Sequence, residues 1–129
     1  MLLNHLYLII MKKILPLLVL VMFALAGCHN APASYEMADS PRQLIPNAEK
    51  FVNQVVKDSK HYKAEDWDEA IKQFVTMSKN YVEYGPQLTQ DDRMKYNNIR
   101  MDFMSAVDAT GNEDLALRVK EAYANVIGK

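Results

Sequence analysis

The sequence has few chemically reactive side chains, and the most distinctive is its single cysteine, Cys28. Cys28 ends the run Leu25-Ala26-Gly27-Cys28, which follows directly on an apolar stretch. A lone thiol cannot form an internal disulfide, so the chain must fold by burying apolar side chains. The chemistry of Cys28 therefore has to be inferred from the segment that precedes it.

The segment before Cys28 has the three-part layout of a secretory signal. Lys12 and Lys13 supply a basic start, and about a dozen apolar residues and then small residues lead to Cys28. This apolar run is too short for a transmembrane helix, which needs about 20 residues. Residues 1–10 place a second apolar patch where a signal normally begins with its charge, which favours Met11 as the translation start. We predict that residues 1–27 are a cleaved signal peptide.

The run Leu25-Ala26-Gly27-Cys28 resembles the lipobox of bacterial lipoproteins. The resemblance implies recognition of Leu25, Ala26 and Gly27 by the lipoprotein signal peptidase, and a diacylglycerol thioether on Cys28. A further fatty acid such as palmitate would follow on the new amino group, and two or three acyl chains anchor a protein stably in a membrane. His29, rather than aspartate, follows the cysteine, which favours the outer membrane. An ordinary signal followed by a free cysteine is the alternative.

The other candidate groups have simpler structural explanations. Acidic residues gather at the predicted helix starts, where carboxylates stabilise exposed amides and the helix dipole. The densest group is Glu65, Asp66, Asp68 and Glu69. His29 and His61 are the only histidines from Cys28 onward, and no second imidazole or thiolate is placed to share a metal with them. We predict no metal, no cofactor and no enzymatic activity.

The segment after Cys28 changes to small, polar and proline-broken sequence. No helical or strand period survives between His29 and Ile45, so residues 28–46 are expected to be a lipidated N-terminus and a flexible linker. Tyr35 and Met37 are isolated apolar residues within it. Their docking onto the following domain is the alternative to full flexibility.

From Pro46 onward, apolar residues recur at intervals of three and four, which predicts helices and no strands. The expected helices lie near residues 48–59, 64–84, from Gln90 to the turn Thr110-Gly111-Asn112, and 113–127. The second should bury Trp67 and end at Gly85-Pro86, with glycine in a left-handed conformation. Thr89 and Asp92 resemble a capping box that starts the third helix.

Short connections between these helices favour antiparallel packing. Residues 47–129 are therefore predicted to form an all-α, up-and-down bundle of three or four antiparallel helices. The first helix could instead fold as a small lid on the others.

The third predicted helix has two apolar faces when residues are spaced at 100°. One stripe consists of Tyr96, Ile99, Phe103, Ala106 and Val107. Met94 and Met101 lie on the opposite side, and Met104 lies between the two. Either this helix is sandwiched between its neighbours, or the methionine side is an exposed, adaptable partner surface. Copper(I) binding by the thioethers is disfavoured because no histidine or cysteine lies nearby.

Charge distribution bears on the class of partner. All 16 acidic residues follow Cys28, whereas two of the 15 basic residues, Lys12 and Lys13, precede it. The part from Cys28 onward thus carries a net side-chain charge of −3. A mildly acidic exported domain is a poor candidate for binding nucleic acid.

A second resemblance covers roughly residues 49–109. The run from Tyr62 to Trp67, the later Tyr81 and Tyr84, and Leu88-Thr89 resemble small all-helical lipoproteins of Bacteroidota-type bacteria that carry a domain of unknown function. This implies a helical fold and an envelope location. Leu88-Thr89 also resembles the L-T-x-x-Q motif of periplasmic chaperones of the Spy type, with Asp92 in place of the glutamine.

Two functions follow as expectations from these observations. The first is a tethered, non-enzymatic interaction or structural module that binds an envelope protein partner and is held to the membrane by Cys28. The second is a client-binding chaperone or stress sensor.

Overall fold

The structure is a computed structural model that describes residues 32–128. It contains helices α1 (Pro41–Asp58), α2 (Ala64–Tyr84), α3 (Gln90–Asp108) and α4 (Glu113–Ile127), with short 3-10 turns at Ser59–His61 and Gly85–Gln87. No strand occurs within these residues, which confirms the all-α prediction. The expected bounds of α2 and α4 and the start of α3 are also confirmed. The signal peptide, the run Leu25-Ala26-Gly27 and Cys28 lie outside the described residues.

Consecutive helices run in opposite directions. Tyr81 and Phe74 of α2 stack on Tyr96 and Phe103 of α3, with ring centroids 3.8 Å and 4.3 Å apart, so α2 descends as α3 ascends. Backbone contact is nevertheless most extensive between α1 and α3 and between α2 and α4. In the second of these pairs the helices run parallel, because Asp68 pairs with Arg118 and, further along both helices, the Phe74 ring meets that of Tyr123. The bundle is therefore up-and-down along the chain.

Aromatic rings fill the centre of the bundle. Phe103 stacks on Phe74, lies 6.1 Å from Phe51 of α1, and meets Trp67 edge-on at 6.4 Å. Trp67 is only 6% exposed, which confirms the prediction that it is buried. Because offset and edge-on ring pairs add to the hydrophobic gain of burial, this cluster ties α1, α2 and α3 together.

The prediction of a flexible linker is wrong for residues 32–46. Helix α1 already begins at Pro41, and residues 32–40, which we call the strap, pack against the bundle with Ala33, Tyr35 and Ala38 buried. Pro41 lies in the first helical turn, where backbone N–H groups have no acceptor within the helix, so its missing N–H costs no hydrogen bond. Pro46 is exposed inside α1 and removes only one backbone hydrogen bond. The docking of Tyr35, the alternative, is what the structure shows, whereas Met37 is exposed.

Helix α1 is a full member of the bundle, so the idea of a lid is also wrong. It is 18 residues long and buries Leu44, Ala48, Phe51, Val52 and Val55, while Val56 is exposed. Its extensive contact with α3 covers one side of the core. A lid would instead leave that side accessible.

The helix ends agree with the sequence except at Gly85. The Thr89 hydroxyl accepts a hydrogen bond from the Asp92 N–H at 3.1 Å, and the Asp92 carboxylate accepts one from the Thr89 N–H, which confirms the capping box. Gly85 is right-handed, with φ −47°, because the chain leaves α2 through a 3-10 turn stabilised by an Arg93 hydrogen bond to the Gly85 carbonyl. The left-handed glycine is Gly111, with φ 70°.

Candidate functional site

The outward side of α3 carries the methionines that the sequence singled out. Met94 is 61% exposed and Met101 is 51% exposed, whereas Met104 is half-buried and packs against the core. Sandwiching of α3 is therefore not observed at Met94 and Met101. These two residues are separated by two helical turns, about 10 Å along the helix axis. We call Met94 and Met101 the methionine surface, and Met104 lies at its edge.

The opposite side of α3 accounts for the exposure of the methionines. Tyr96, Ile99, Phe103 and Val107 are all buried, as their spacing predicted. Because these residues already fill the interface with the other helices, the methionines face solvent. Charged residues near the methionines form contacts of their own. Lys95 pairs with Asp91 at 3.2 Å, and the Arg100 guanidinium lies 4.8 Å from the centre of the Tyr123 ring on α4. Met94 and Met101 are thus two exposed apolar side chains, with the exposed Asn97 and Asn98 between them on the same side of α3.

The acidic cluster of α2 is explained by local structure. The Asp66 carboxylate accepts a hydrogen bond from the Lys63 N–H at 2.8 Å, Asp68 forms an ion pair with Arg118 at 2.7 Å, and Glu69 accepts from the Gln73 amide. First turns of α2, α3 and α4 are acidic, as predicted, but the first turn of α1 is not, because Glu49 lies inside that helix. Among residues 32–128, no three acidic, histidine or cysteine side chains converge to hold a metal ion.

Two open grooves were not anticipated from the sequence. A mixed polar groove of about 730 Å³ lies between α1 and α3, with Arg42 and Glu49 on one wall and Lys95 and Asp102 on the other. A more apolar groove of about 530 Å³ lies between α2 and α4, where Val75 and Val82 face Ala122 and Val126. Val82 is 48% exposed and lines this groove.

A buried polar network holds the strap on α2. The Asn80 side-chain oxygen accepts hydrogen bonds from the Tyr35 hydroxyl at 2.6 Å and from the Ala38 N–H at 2.9 Å. The Gln73 side-chain oxygen accepts one from the Tyr35 N–H at 2.9 Å. Gln73 and Asn80 are seven residues apart and so share one face of α2. That spacing of two amides was the signal in the sequence that could have revealed the strap.

Burial raises the pKa of two tyrosines, Tyr35 of the strap and Tyr96 of α3. Burial raises the pKa of Tyr35 to about 12, because the charged phenolate would lose its hydration. Burial also raises the pKa of Tyr96, whose hydroxyl donates to the Ser78 hydroxyl at 3.5 Å. Both side chains therefore stay protonated at neutral pH. They act as neutral hydrogen-bond donors in the core.

Fold and surface together define a small helical bundle with a strapped N-terminal segment and an exposed methionine surface. The chain belongs to the DUF6565 family, a domain of unknown function, which matches residues 55–128. The match spans α2, α3 and α4 and begins in the last turn of α1. Comparison with curated proteins found no match, and comparison with solved structures found none either. No helix among the described residues is long and apolar enough to cross a membrane.

Proposed function

We propose that this protein is a lipid-anchored, non-enzymatic interaction or structural module of the bacterial outer membrane, similar to the small helical lipoproteins of Bacteroidota-type bacteria. Cys28 carries the lipid, and Leu25, Ala26 and Gly27 direct the signal peptidase. The methionine surface of α3 binds an envelope protein. The observation that carries this proposal is the exposure of Met94 and Met101 on a helix whose opposite face is fully buried.

Methionine suits such a surface because its unbranched side chain adapts to the shape of a partner. Covering Met94 and Met101 would remove apolar area from water, at about 25 cal/mol per Å² of apolar surface. The charged side chains around them would form the polar rim that is usual for protein interfaces. The surface therefore fits a partner with an apolar centre and polar edges.

Four tyrosines among the described residues are structural groups. Burial raises the pKa of Tyr35, Tyr62, Tyr96 and Tyr123, because the charged phenolate would lose its hydration.

The partner surface is tested by crosslinking in cells with a photoreactive amino acid at position 94 or 101. One defined crosslinked protein is expected, and Met101→Asp should abolish its co-purification. Leu117→Asp is a matched control, because Leu117 is a similarly exposed apolar residue, 55% exposed, on α4. Equal loss of the partner in both variants, or in neither, would contradict a site at the methionines.

The anchor is tested by Cys28→Ser in cells fed with labelled palmitate. The wild-type protein should take up label and fractionate with the outer membrane, whereas the variant should do neither while keeping its helical circular dichroism spectrum. Uptake of label by the variant would show that another residue is acylated. A soluble wild-type protein would contradict the anchor altogether.

The second function, a client-binding chaperone or stress sensor, is favoured by the same adaptable methionines. It predicts that soluble residues 29–129 suppress the aggregation of unfolded clients at stoichiometric amounts, and that Met101→Asp weakens this effect. No suppression by the wild-type protein would exclude the chaperone and leave the specific interaction module.

A further inference from the structure

The strap has a defined direction along the bundle. Its backbone N–H groups donate at three points: Ala33 to the Tyr62 hydroxyl at 3.4 Å, Tyr35 to Gln73, and Ala38 to Asn80. The three acceptors advance from just before the start of α2 toward its end. The strap therefore runs parallel to α2, and its first residues lie beside the connection between α1 and α2.

That connection and the one between α3 and α4 are at the same end of the bundle. Lys60 and Ala64 from the first connection line a shallow hollow together with Thr110 and Asn112 from the second. We call this end, formed by residues 59–63 and 109–112, the two-turn end. The opposite, one-turn end carries residues 85–89, where Ala38, Leu44 and Leu88 form a small apolar cluster.

The position of the strap limits how far the bundle can stand from a lipid on Cys28. Ala33 follows Cys28 by five residues, which span at most about 17 Å when fully extended. Helix α2, with 21 residues, is about 32 Å long. Lipidation of Cys28 would therefore hold Ala33, beside the two-turn end, within about 17 Å of the attachment point. The one-turn end lies about the length of α2 from Ala33 and is not held by this limit.

We propose that the two-turn end faces the phospholipid surface and that the one-turn end, with the nearby Met94, points away from it. This inference rests on the proposed lipid anchor. The partner of the two-turn end is a layer of phospholipid headgroups, and the exposed Lys63, together with Lys57 just beside this end, matches their phosphate oxygens. Acidic residues at the starts of α2 and α4 share this end, so the short attachment, more than net charge, sets the orientation.

The orientation has a consequence for the methionine surface. Met94 lies in the second turn of α3, next to the one-turn end, and Met101 lies two turns closer to the lipid. A protein partner approaching from the aqueous side would meet Met94 first. Partner binding on the outward side of α3 and membrane attachment at the two-turn end therefore use different surfaces of the bundle.

The test uses the full-length protein, expressed with its signal and placed in phosphatidylcholine and phosphatidylglycerol vesicles. Acylation uses up the Cys28 thiol, so a single new cysteine can carry a nitroxide spin label. Lys60→Cys marks the two-turn end and Gln87→Cys marks the one-turn end, and both side chains are exposed. A gadolinium chelate on a lipid headgroup should enhance relaxation of the label at position 60 and leave the label at position 87 unaffected.

A matched variant separates attachment length from other causes. A flexible Gly/Ser insert of about 12 residues between Cys28 and Pro32 adds roughly 20 Å on average and should clearly weaken the enhancement at position 60. Equal enhancement at positions 60 and 87, in protein whose Cys28 is shown by mass spectrometry to be acylated, would overturn the orientation alone. Protein without acyl chains on Cys28 would overturn the proposed anchor, and the orientation with it.

Discussion

Asn80 shows how a single polar residue can fix the fold of a segment distant in sequence. Its side chain is buried, and its amide nitrogen approaches the Ala38 carbonyl at 3.5 Å while its oxygen accepts from Tyr35 and Ala38. A buried amide without partners would cost about 1–3 kcal/mol, so a strap that covered Asn80 in another position would be less stable than the one observed. The hydrogen bonds of Asn80 with Tyr35 and Ala38 therefore specify one position for the strap.

The acidity of Tyr35 leads to a prediction at high pH. Its pKa is about 12 in the folded protein and about 10 in the unfolded chain, so the stability it contributes is complete below pH 10 and is lost as pH rises toward 12. Tyr35→Phe should lose about 0.5–1.5 kcal/mol at pH 7 and show a shallower decline in stability above pH 10. Urea unfolding at several pH values measures both effects.

A comparison with Ser34→Ala controls for general effects of substituting the strap, since Ser34 is exposed. Some decline should remain in Tyr35→Phe because burial also raises the pKa of Tyr96. An unchanged alkaline profile would show that Tyr35 is not buried in solution.

Loss of the buried Trp67 ring should be strongly destabilising. Truncation to alanine leaves a cavity among the rings of Tyr62 and Phe103. Trp67→Ala should lower the free energy of unfolding by about 3–5 kcal/mol. Val82→Ala, an exposed position on the same helix, should change it by less than about 0.5 kcal/mol. Similar melting temperatures for the two variants would contradict the burial of Trp67 in the core.

At the scale of elements, the sequence determined the helices whose ends carry strong local signals. Thr89 with Asp92, and Asn112 with the Leu115 N–H, begin α3 and α4 through side-chain caps that can be recognised in sequence. The spacing of apolar residues likewise predicted the burial of Trp67 and the buried stripe that contains Phe103 and Val107. Cap and stripe are local properties, so no knowledge of the rest of the fold was needed to predict them.

Helix α1 and the strap escaped prediction because their stability is not local. Pro41 and Pro46 resemble helix breakers in sequence, yet Leu44 and Ala48 are fully buried against other parts of the bundle. Tyr35 looks isolated in sequence because its partner, Asn80, is 45 residues away. The sequence predicted two apolar faces on α3. It could not show which of them the other helices cover, so the exposure of Met94 and Met101 was left open.

The capping box of α3 gives a prediction for this element. Thr89→Ala removes the acceptor for the Asp92 N–H and should destabilise the protein by about 1 kcal/mol. Thr89→Ser keeps a hydroxyl and should retain most of the stability. Thermal unfolding followed by circular dichroism measures the difference, and equal melting temperatures for alanine and serine would show that the cap contributes little.

At the scale of the whole molecule, the strap makes the folded unit longer than the matched family region. Residues 55–128 exclude the strap and most of α1, although α1 covers the core through Phe51 and its contact with α3. A protein reduced to the matched residues would expose that side of the core. The stable unit is therefore residues 32–128 rather than 55–128.

Removal of the strap tests this view directly. A soluble protein starting at residue 41 should be less stable than one starting at residue 32 by about 3 kcal/mol, because it loses the burial of Tyr35 and its hydrogen bonds. Asn80→Ala should destabilise the longer protein more than the shorter one, because only in the longer protein does the Asn80 amide hold the strap. Equal stability of the two lengths would show that the strap is not a structural part of the bundle.

The position of Trp67 also gives the molecule an intrinsic optical reporter. It is the only tryptophan, it is buried, and its ring meets that of Tyr62 edge-on at 5.2 Å. The same Tyr62 accepts the hydrogen bond of Ala33, the first anchoring point of the strap. The colour and intensity of a single indole fluorophore therefore report on strap release as well as unfolding, without any added dye.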